Sequence, residues 1–303
     1  MDWFFQQLIN GLALGSIYAL IAIGYTMVYG ILRFINFAHS DVLMLGAFAA
    51  YFLAPLVSRV LPPQSIGGAL VVMALSAAIC AVIGMLIEFL AYRPLRNRPK
   101  LTVLITAIGV SLFIEFTCQH KAAFGAETRP FPRLLAQKDF VLGGLSVNSN
   151  DVVVVAVTAI LLAGLWFIVQ HTRTGTAMRA TSFNERAAAL MGINIDRIIS
   201  FTFGLGSALA AVAGIFYAMR APGIEPLMGM KPGLYAFVAA VVGGIGNLPG
   251  AALGGLLLGL LETFAGGIPG VSTYRDAIAF GILILILLFK PAGLLGKSQI
   301  EKV

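Results

Sequence analysis

The sequence is dominated by apolar segments that are each about as long as a lipid bilayer is thick. An α-helix rises 1.5 Å per residue, so about 20 consecutive apolar residues cross the hydrocarbon core. The candidate segments are 8–30, 40–57, 67–91, 101–119, 151–170, 200–219, 233–246, 250–266 and 276–290. The two short ones, 40–57 and 233–246, either cross fully or form half-helices. We therefore predict an all-α polytopic membrane protein with eight or nine transmembrane helices, some of them broken.

The composition favours the same class of protein. Of the 303 residues, 59% are hydrophobic and only 11% are charged, whereas soluble domains carry about 25% charged residues. A transmembrane β-barrel would show stretches of alternating polarity about ten residues long, but the apolar runs here are continuous. No segment between them is suited to a separate soluble domain, so residues 1–303 are predicted to form a single transmembrane domain in contact with membrane lipid.

The basic residues predict how the chain is oriented. Lys and Arg collect in the cytoplasmic loops of membrane proteins. Three parts of the chain are basic: the loop 93–100, the polar segment 171–199 and the tail with Lys290, Lys297 and Lys302. Placing all three in the cytoplasm makes the N-terminus periplasmic and the C-terminus cytoplasmic after nine crossings. This pattern accounts for the net charge of +7, so no nucleic-acid partner is expected.

The polar segment 171–199 lies between two apolar segments and contains a predicted short helix. Residues 184–191 are rich in Ala and Leu, which favour helix formation, with Asn184 as a candidate N-cap and Gly192 as a stop. Such a helix in a cytoplasmic loop can dock on a water-soluble partner. The alternative is a solvated amphipathic loop helix.

Several polar residues interrupt the apolar course between the first and second segments. Polar groups inside a bilayer cost several kcal/mol unless they face protein or water. Asn36 or Ser40 is predicted to cap a helix that begins near Asp41, and a broken helix of this kind can direct its N-terminus at a substrate carboxylate. The alternative is a short cytoplasmic turn. The candidate residues for a translocation path in this region are Asn36, Phe37, His39, Ser40 and Asp41.

Glycines at intervals of four predict close helix packing near the C-terminus. Small residues at this period allow two helix backbones to approach each other. The first apolar segment has the same spacing at Gly11 and Gly15. The predicted packing residues are Gly246, Gly250, Gly254, Gly255 and Gly259.

Acidic residues within the apolar segments are few. Glu115 is the deepest of them and is a further candidate for the path, although no second acid lies near it in sequence. A role inside the helix bundle is therefore favoured over a proton relay. No catalytic or metal-ligand spacing is present, and the sequence PAGLLGKS at 291–298 lacks the first glycine of a P-loop. We expect no enzyme activity, no metal and no cofactor bound by this chain.

Four segments carry a resemblance to a known family. They are GLALGSIYALIAIGYTMVYGILRFINFAHSD, AYRPLR, RTGTAMRA with ERAAALMGIN, and VVGGIGNLPGAALGGLLLG. Together they resemble the H-type permease subunit of bacterial branched-chain amino-acid ABC importers, and the similarity runs in order along nearly the whole chain. The resemblance implies the permease fold of such importers and a location in the bacterial inner membrane. It also implies import of leucine, isoleucine and valine.

The same resemblance implies the partners of the chain and its coupling residues. The family works with a second, non-identical permease, two ATP-binding subunits that use the ATP, and a periplasmic substrate-binding protein. The coupling motif of importers is similar to E-A-A-x-x-x-G, although Gly192 follows Ala189 by only three residues. Ser40 stands where the family usually has glycine. The implied ATPase-coupling residues are Arg179, Asn184, Glu185, Ala188, Ala189, Gly192 and Ile193.

Two other classes of protein remain as alternatives. An ion-coupled secondary transporter of amino acids or small amides would need several buried ionisable groups, which are scarce here. A membrane-embedded enzyme would need a catalytic constellation, which the sequence lacks. The exact substrate stays open among amino acids, short amides and urea-like solutes.

Overall fold

A computed structural model describes residues 2–96, 98–142, 144–221 and 223–296. The end of the predicted cytoplasmic tail, including Lys297 and Lys302, lies outside these residues. The helices are α1 (Asp2–Leu32), α2 (His39–Val57), α3 (Ile66–Ile87), α4 (Lys100–Gln119), α5 (Ser149–His171), α6 (Arg173–Phe183), α7 (Glu185–Leu190), α8 (Ile195–Arg220), α9 (Met230–Gly243), α10 (Leu248–Gly267) and α11 (Arg275–Phe289).

Five further elements complete the described part of the chain. A π-helical stretch, Glu88–Tyr92, and a 3-10 turn, Arg93–Leu95, extend α3 toward the loop that follows it. Strands β1 (Asp139–Leu142) and β2 (Leu145–Asn148) form a small antiparallel hairpin. A second 3-10 turn, Ser272–Tyr274, precedes α11.

The prediction of eight or nine transmembrane helices is confirmed. Eight helices in the described residues are long and apolar enough to cross a bilayer, and α9 is a shorter apolar helix. Its 14 residues extend about 21 Å, less than the roughly 30 Å of the hydrocarbon core. The helix α1 begins at Asp2, earlier than the predicted Leu8. The Asp2 carboxylate there suits the positive end of the helix dipole.

The centre of the bundle is α1. Every residue from Gly15 to Val28 is buried, and the helix contacts α5, α8, α9 and α10. A helix that is apolar on all sides is stable when other helices surround it. Neighbouring helices therefore surround α1, whereas α3, α4, α5 and α11 expose much of their apolar surface.

Glycines bring α1 and α10 into close contact. A Cβ added to Gly15 would lie 2.8 Å from the Cα of Leu256, and one added to Gly255 or Gly259 would overlap the backbone of α1. These positions therefore accept only glycine without a shift of the helices. The small-residue spacing thus places a backbone contact along the length of the bundle.

The predicted packing glycines divide into two groups. Gly250 and Gly254 lie on α10 and face the backbone of α9, near Gly243 and Ala239. Gly246 precedes α10, has a φ of 93° and has no neighbouring group within 4 Å of an added Cβ. The prediction of a packing role for Gly246 is therefore wrong. This glycine is needed for the left-handed backbone of the turn between α9 and α10.

The helices α1–α4 and α8–α11 are packed in the same pattern. The contact of α1 with α10 corresponds to that of α8 with α3, and the contact of α2 with α8 corresponds to that of α9 with α1. The pairs α2–α4 and α9–α11 also correspond. Since α1 and α8 run in opposite directions, the two groups of four helices form an inverted repeat, an arrangement common in transporters.

The three basic parts of the chain meet at one end of the bundle, which we call the basic end. Arg93 in the loop 93–100 forms an ion pair with Asp196 at the start of α8. Residues 291–296 lie beside the turn between α9 and α10, where the amide of Leu294 donates to the carbonyl of Val242 at 2.8 Å. The described residues of the three basic parts therefore lie at the same end, and the placement of that end in the cytoplasm stays a prediction.

The start of α1 lies at the opposite end of the bundle. There Gln6 bonds Ser146 of the hairpin, and Arg220 at the end of α8 pairs with Asp151. The start of α1 and residues 291–296 consequently lie at opposite ends. Because the two lie at opposite ends, the chain must cross the bundle an odd number of times. Eight helices are long enough to cross, and α9 makes the ninth crossing together with the irregular residues 223–229 that precede it.

Candidate functional site

The short helix α7 forms where the sequence predicts it. The Asn184 side chain caps it by accepting a hydrogen bond of 3.0 Å from the amide of Ala187. At the other end Gly192 adopts a φ of 83°, and the amide of Ile193 donates to the carbonyl of Ala188 at 3.1 Å. This is a Schellman stop, in which glycine supplies the left-handed residue. The helix therefore has defined ends and can move as one body.

The preceding helix α6 is anchored to the end of α5. Gly175 packs against the carbonyls of Ile168 and Val169 without room for a side chain. The Arg179 guanidinium donates to the carbonyl of Val169. Arg179 was predicted to belong to the coupling residues. The structure places it on α6, apart from α7, where it fixes the position of α6.

The surface formed by α7 and the residues at its two ends combines exposed apolar and charged side chains. Phe183, Leu190 and Met191 are 88%, 89% and 83% exposed, respectively. Glu185 and Arg186 are also exposed, whereas Ala188 is buried beneath them. We call Phe183, Glu185, Arg186, Leu190 and Met191 together the coupling surface. Sequence reasoning missed Phe183, Leu190 and Met191, although their position in an otherwise polar segment was a signal.

The chain between α1 and α2 folds back into the bundle. After α1 ends at Leu32, Arg33 adopts a φ of 53°, and the chain reverses. The His39 ring packs on Tyr25 with 4.7 Å between ring centroids and also lies against Gly24. Because Gly24 is eight residues before Leu32, α2 begins about 12 Å inside the end of α1. We call residues 33–38 the re-entrant segment; their course favours the broken helix over a cytoplasmic turn.

The predicted capping of α2 is wrong. The N-cap residue is Ala38, and no side chain caps the helix. The Asn36 Oδ1 atom instead accepts a hydrogen bond of 2.6 Å from the Tyr92 hydroxyl. Ser40 lies inside the first turn, and its hydroxyl donates to the carbonyl of Phe37 at 3.0 Å. Each side chain therefore has a different partner from the one that the sequence suggested.

The starts of α2 and α9 meet inside the bundle. A Cβ at Gly229 or at Gly233 would overlap Ser40, so the two chains touch there. These starts occupy corresponding positions in the two halves of the inverted repeat. In transporters built this way, discontinuous helices at corresponding positions mark the substrate site.

Two acids lie side by side near this meeting point. The Asp41 carboxylate faces Ser111 and Glu115 on α4, and both acids are buried. Sequence reasoning found no second acid near Glu115, because Asp41 is 74 positions away along the chain. Within the described parts of the chain, neither Asp41 Oδ2 nor His39 Nε2 has a hydrogen-bond partner. Buried polar atoms without partners are costly and require an explanation such as a functional role.

The remaining candidate, Phe37, is half-buried in the re-entrant segment. All five predicted path residues of that region therefore lie in the re-entrant segment or in the first turn of α2, and Glu115 lies beside Asp41. In the described residues, no group of three or more His, Cys, Asp or Glu side chains is arranged to hold a metal ion.

Comparison with known proteins relates this architecture to transport permeases. The family described as branched-chain amino acid transport system, permease component, matches residues 7–287. The permease protein BraD of the high-affinity branched-chain amino acid transport system of Pseudomonas aeruginosa is 42% identical, with 99% of this chain and 98% of the relative covered. The corresponding LivH of Escherichia coli is 39% identical over the same shares. The ribose import permease protein RbsC of Escherichia coli is 32% identical over 43% of this chain and 42% of its own length.

Proposed function

This chain belongs to the branched-chain amino acid transport system permease family, and from this premise we propose that it carries leucine, isoleucine and valine across the bacterial inner membrane. The family membership makes it a multi-pass membrane permease. The choice of substrates follows the names of the full-length relatives, which are described as high-affinity branched-chain amino acid permeases.

The proposed transporter is an ATP-driven importer with several subunits. This chain pairs with a second, non-identical permease, and two ATP-binding subunits dock from the cytoplasm. A periplasmic binding protein delivers the substrate. ATP binding and hydrolysis belong to the partner subunits, since this chain lacks a P-loop sequence.

The coupling surface is the observation that carries the proposal. Phe183, Leu190 and Met191 are apolar and exposed in the isolated chain, and Glu185 and Arg186 lie beside them. Interface cores combine large apolar residues with Arg and exclude water. A capped helix with such a surface fits a groove of an ATPase and transmits its movement as a rigid lever.

The proposed translocation path passes the meeting point of α2 and α9. Its candidate residues are Asn36, Phe37, His39, Ser40, Asp41 and Glu115. An amino-acid substrate carries an ammonium group, a carboxylate and, in this family, an aliphatic side chain. The unpartnered Asp41 Oδ2 suits the ammonium group, and the surrounding apolar residues suit the side chain. Alternation between outward and inward access would move the substrate past this point.

The proposed orientation places the basic end in the cytoplasm and the start of α1 in the periplasm. The described residues of the loop 93–100, the segment 171–199 and residues 290–296 all lie at the basic end, as the positive-inside rule requires of cytoplasmic loops. The hairpin of β1 and β2 then faces the periplasm.

Reconstitution with its partners tests the proposal. The two permeases and both ATP-binding subunits are purified together, placed in lipid vesicles and supplied with the binding protein and labelled leucine. We expect uptake that requires ATP and that falls when the coupling surface is altered by Leu190→Ala. Uptake that proceeds equally without ATP would refute the proposal.

An ion-coupled secondary transporter is the second candidate, and one observation favours it. Asp41 and Glu115 form a buried pair of carboxyl groups, which is the type of site that binds and releases protons in transporters. A protonophore distinguishes the two functions when the ATP concentration is held constant. Loss of uptake under that condition would support the secondary transporter.

A further inference from the structure

A network of charged side chains joins the end of α3 to the start of α8. Glu88 is fully buried in the π-helical stretch. Its carboxylate accepts hydrogen bonds from Arg96 and, at 2.5 Å, from the Ser200 hydroxyl. Arg96 also donates to Asp196 at 2.8 Å, and Arg93 pairs with the same carboxylate. The network therefore fixes α3 and its following turn to the first two turns of α8.

The coupling helix is directly connected to this network. Residues 191–194 separate α7 from α8, and they include the Schellman stop of α7. The last of them, Asn194, caps α8 by accepting a hydrogen bond of 3.1 Å from the amide of Arg197. The link is four residues long and has defined hydrogen bonds, so α7 is joined closely to the start of α8, where Asp196 lies.

On its other side the network reaches the re-entrant segment through Tyr92. This residue is the last of the π-helical stretch, is buried, and packs between Phe34 and Phe203 with ring centroids 5.2 and 5.5 Å away. Its hydroxyl donates to Asn36, three residues before α2 begins at His39. Stretches of π-helix inside longer helices are frequent at functional sites.

We propose that this network is a mechanical link that transmits movement of the coupling helix to the start of α2. Asp196 receives the movement, Arg96 and Glu88 carry it, and the bond between Tyr92 and Asn36 applies it to the re-entrant segment. Tyr92 and Asp196 are thus positioning residues for transport. The proposal rests on the proposed function, because only an ATP-driven importer needs such a link.

The ion pairs of the network differ in burial, and burial indicates which of these contacts is harder to break. Breaking the buried contact between Arg96 and Glu88 would leave a buried charge without its partner, which is strongly unfavourable. The pair of Arg93 and Asp196 is partly exposed and contributes less. Arg96 contacts both acids and is therefore the central member. Spatial continuity alone does not demonstrate coupling, so the test measures coupling directly.

The first experiment compares Tyr92→Phe with Tyr18→Phe in the complete reconstituted importer. Both changes remove a buried hydroxyl that donates a hydrogen bond of 2.6 Å, to Asn36 and to Glu262 respectively. Only Tyr92 belongs to the network. The readout is the number of leucine molecules imported per ATP hydrolysed, measured at equal amounts of assembled complex.

We expect Tyr92→Phe to lower this ratio about fivefold, the factor that one net hydrogen bond represents, with ATP hydrolysis retained. Tyr18→Phe lowers thermal stability and leaves the ratio at the wild-type value. An unchanged ratio in Tyr92→Phe, or an equal loss in both variants, would overturn the proposed link.

The second experiment tests whether Tyr92 and Asp196 act in series. Asp196→Asn is compared with Asp151→Asn, which removes the partner of Arg220 at the opposite end of the bundle. We expect a lower ratio for Asp196→Asn only. Combined with Tyr92→Phe, it should cause no further loss, whereas multiplied losses would show independent roles and refute the link. If wild-type uptake needs no ATP, the proposed function fails together with the link; if uptake needs ATP but these variants couple normally, only the link fails.

Discussion

Replacing Leu190 by alanine tests the coupling surface quantitatively. The change removes three carbons from a side chain that is 89% exposed in the isolated chain. If docking buries that side chain, the loss is about 2 kcal/mol, at about 0.8 kcal/mol per buried carbon, and the ATP-binding subunits bind roughly 30-fold more weakly. The folding of the permease itself should change by less than about 0.5 kcal/mol, because the side chain makes few contacts within the chain.

The assay measures binding of the purified ATP-binding subunits to the permease in detergent, together with the thermal stability of the permease. Val60→Ala is the matched control. Val60 is 85% exposed in the turn between α2 and α3, near the end of the bundle opposite the basic end. The control should bind the subunits as wild type does. If Leu190→Ala binds as tightly as Val60→Ala, α7 is a solvated loop helix and the assignment of the coupling surface is wrong.

Three further predictions address orientation, energy source and packing. A single cysteine at Asn184 should react with an impermeant thiol reagent from the cytoplasm only and one at Lys121 from the periplasm only, in a background without native cysteines; the reverse pattern would invert the orientation. A protonophore should leave uptake intact while ATP is maintained, and Glu115→Gln should not convert uptake into passive exchange; either effect would instead support proton coupling. Gly15→Val should lower stability by about 1–3 kcal/mol or more through overpacking against α10, as measured by thermal unfolding. Gly109→Val should have little effect, because an added Cβ at Gly109 meets no group within 4 Å.

The sequence predicted those parts of the fold that depend on local pattern. The spans follow from runs of apolar residues, and the ends of α7 follow from the chemistry of Asn184 and Gly192. The close contact at Gly255 and Gly259 follows from their spacing. Gly246 fits the same spacing but precedes the helix, so spacing alone could not separate packing from a turn.

The parts that the sequence did not predict depend on contacts between distant residues. Asn36 bonds Tyr92, which is 56 positions away, and this partner removes it as a cap for α2. Asp41 reaches Glu115 only because the re-entrant segment places the start of α2 inside the bundle.

The central position of α1 has a consequence for the biogenesis of the protein. The Tyr18 hydroxyl in α1 finds its partner Glu262 in α10, 244 positions later in the chain. At a synthesis rate of about 5–20 residues per second, that partner follows about 12–50 s after Tyr18. During this interval α1 must reside among lipids and the helices made after it, with the Tyr18 hydroxyl separated from its partner in α10. The newly made N-terminal half is therefore an incomplete bundle, and it persists for as long as the last helices take to emerge.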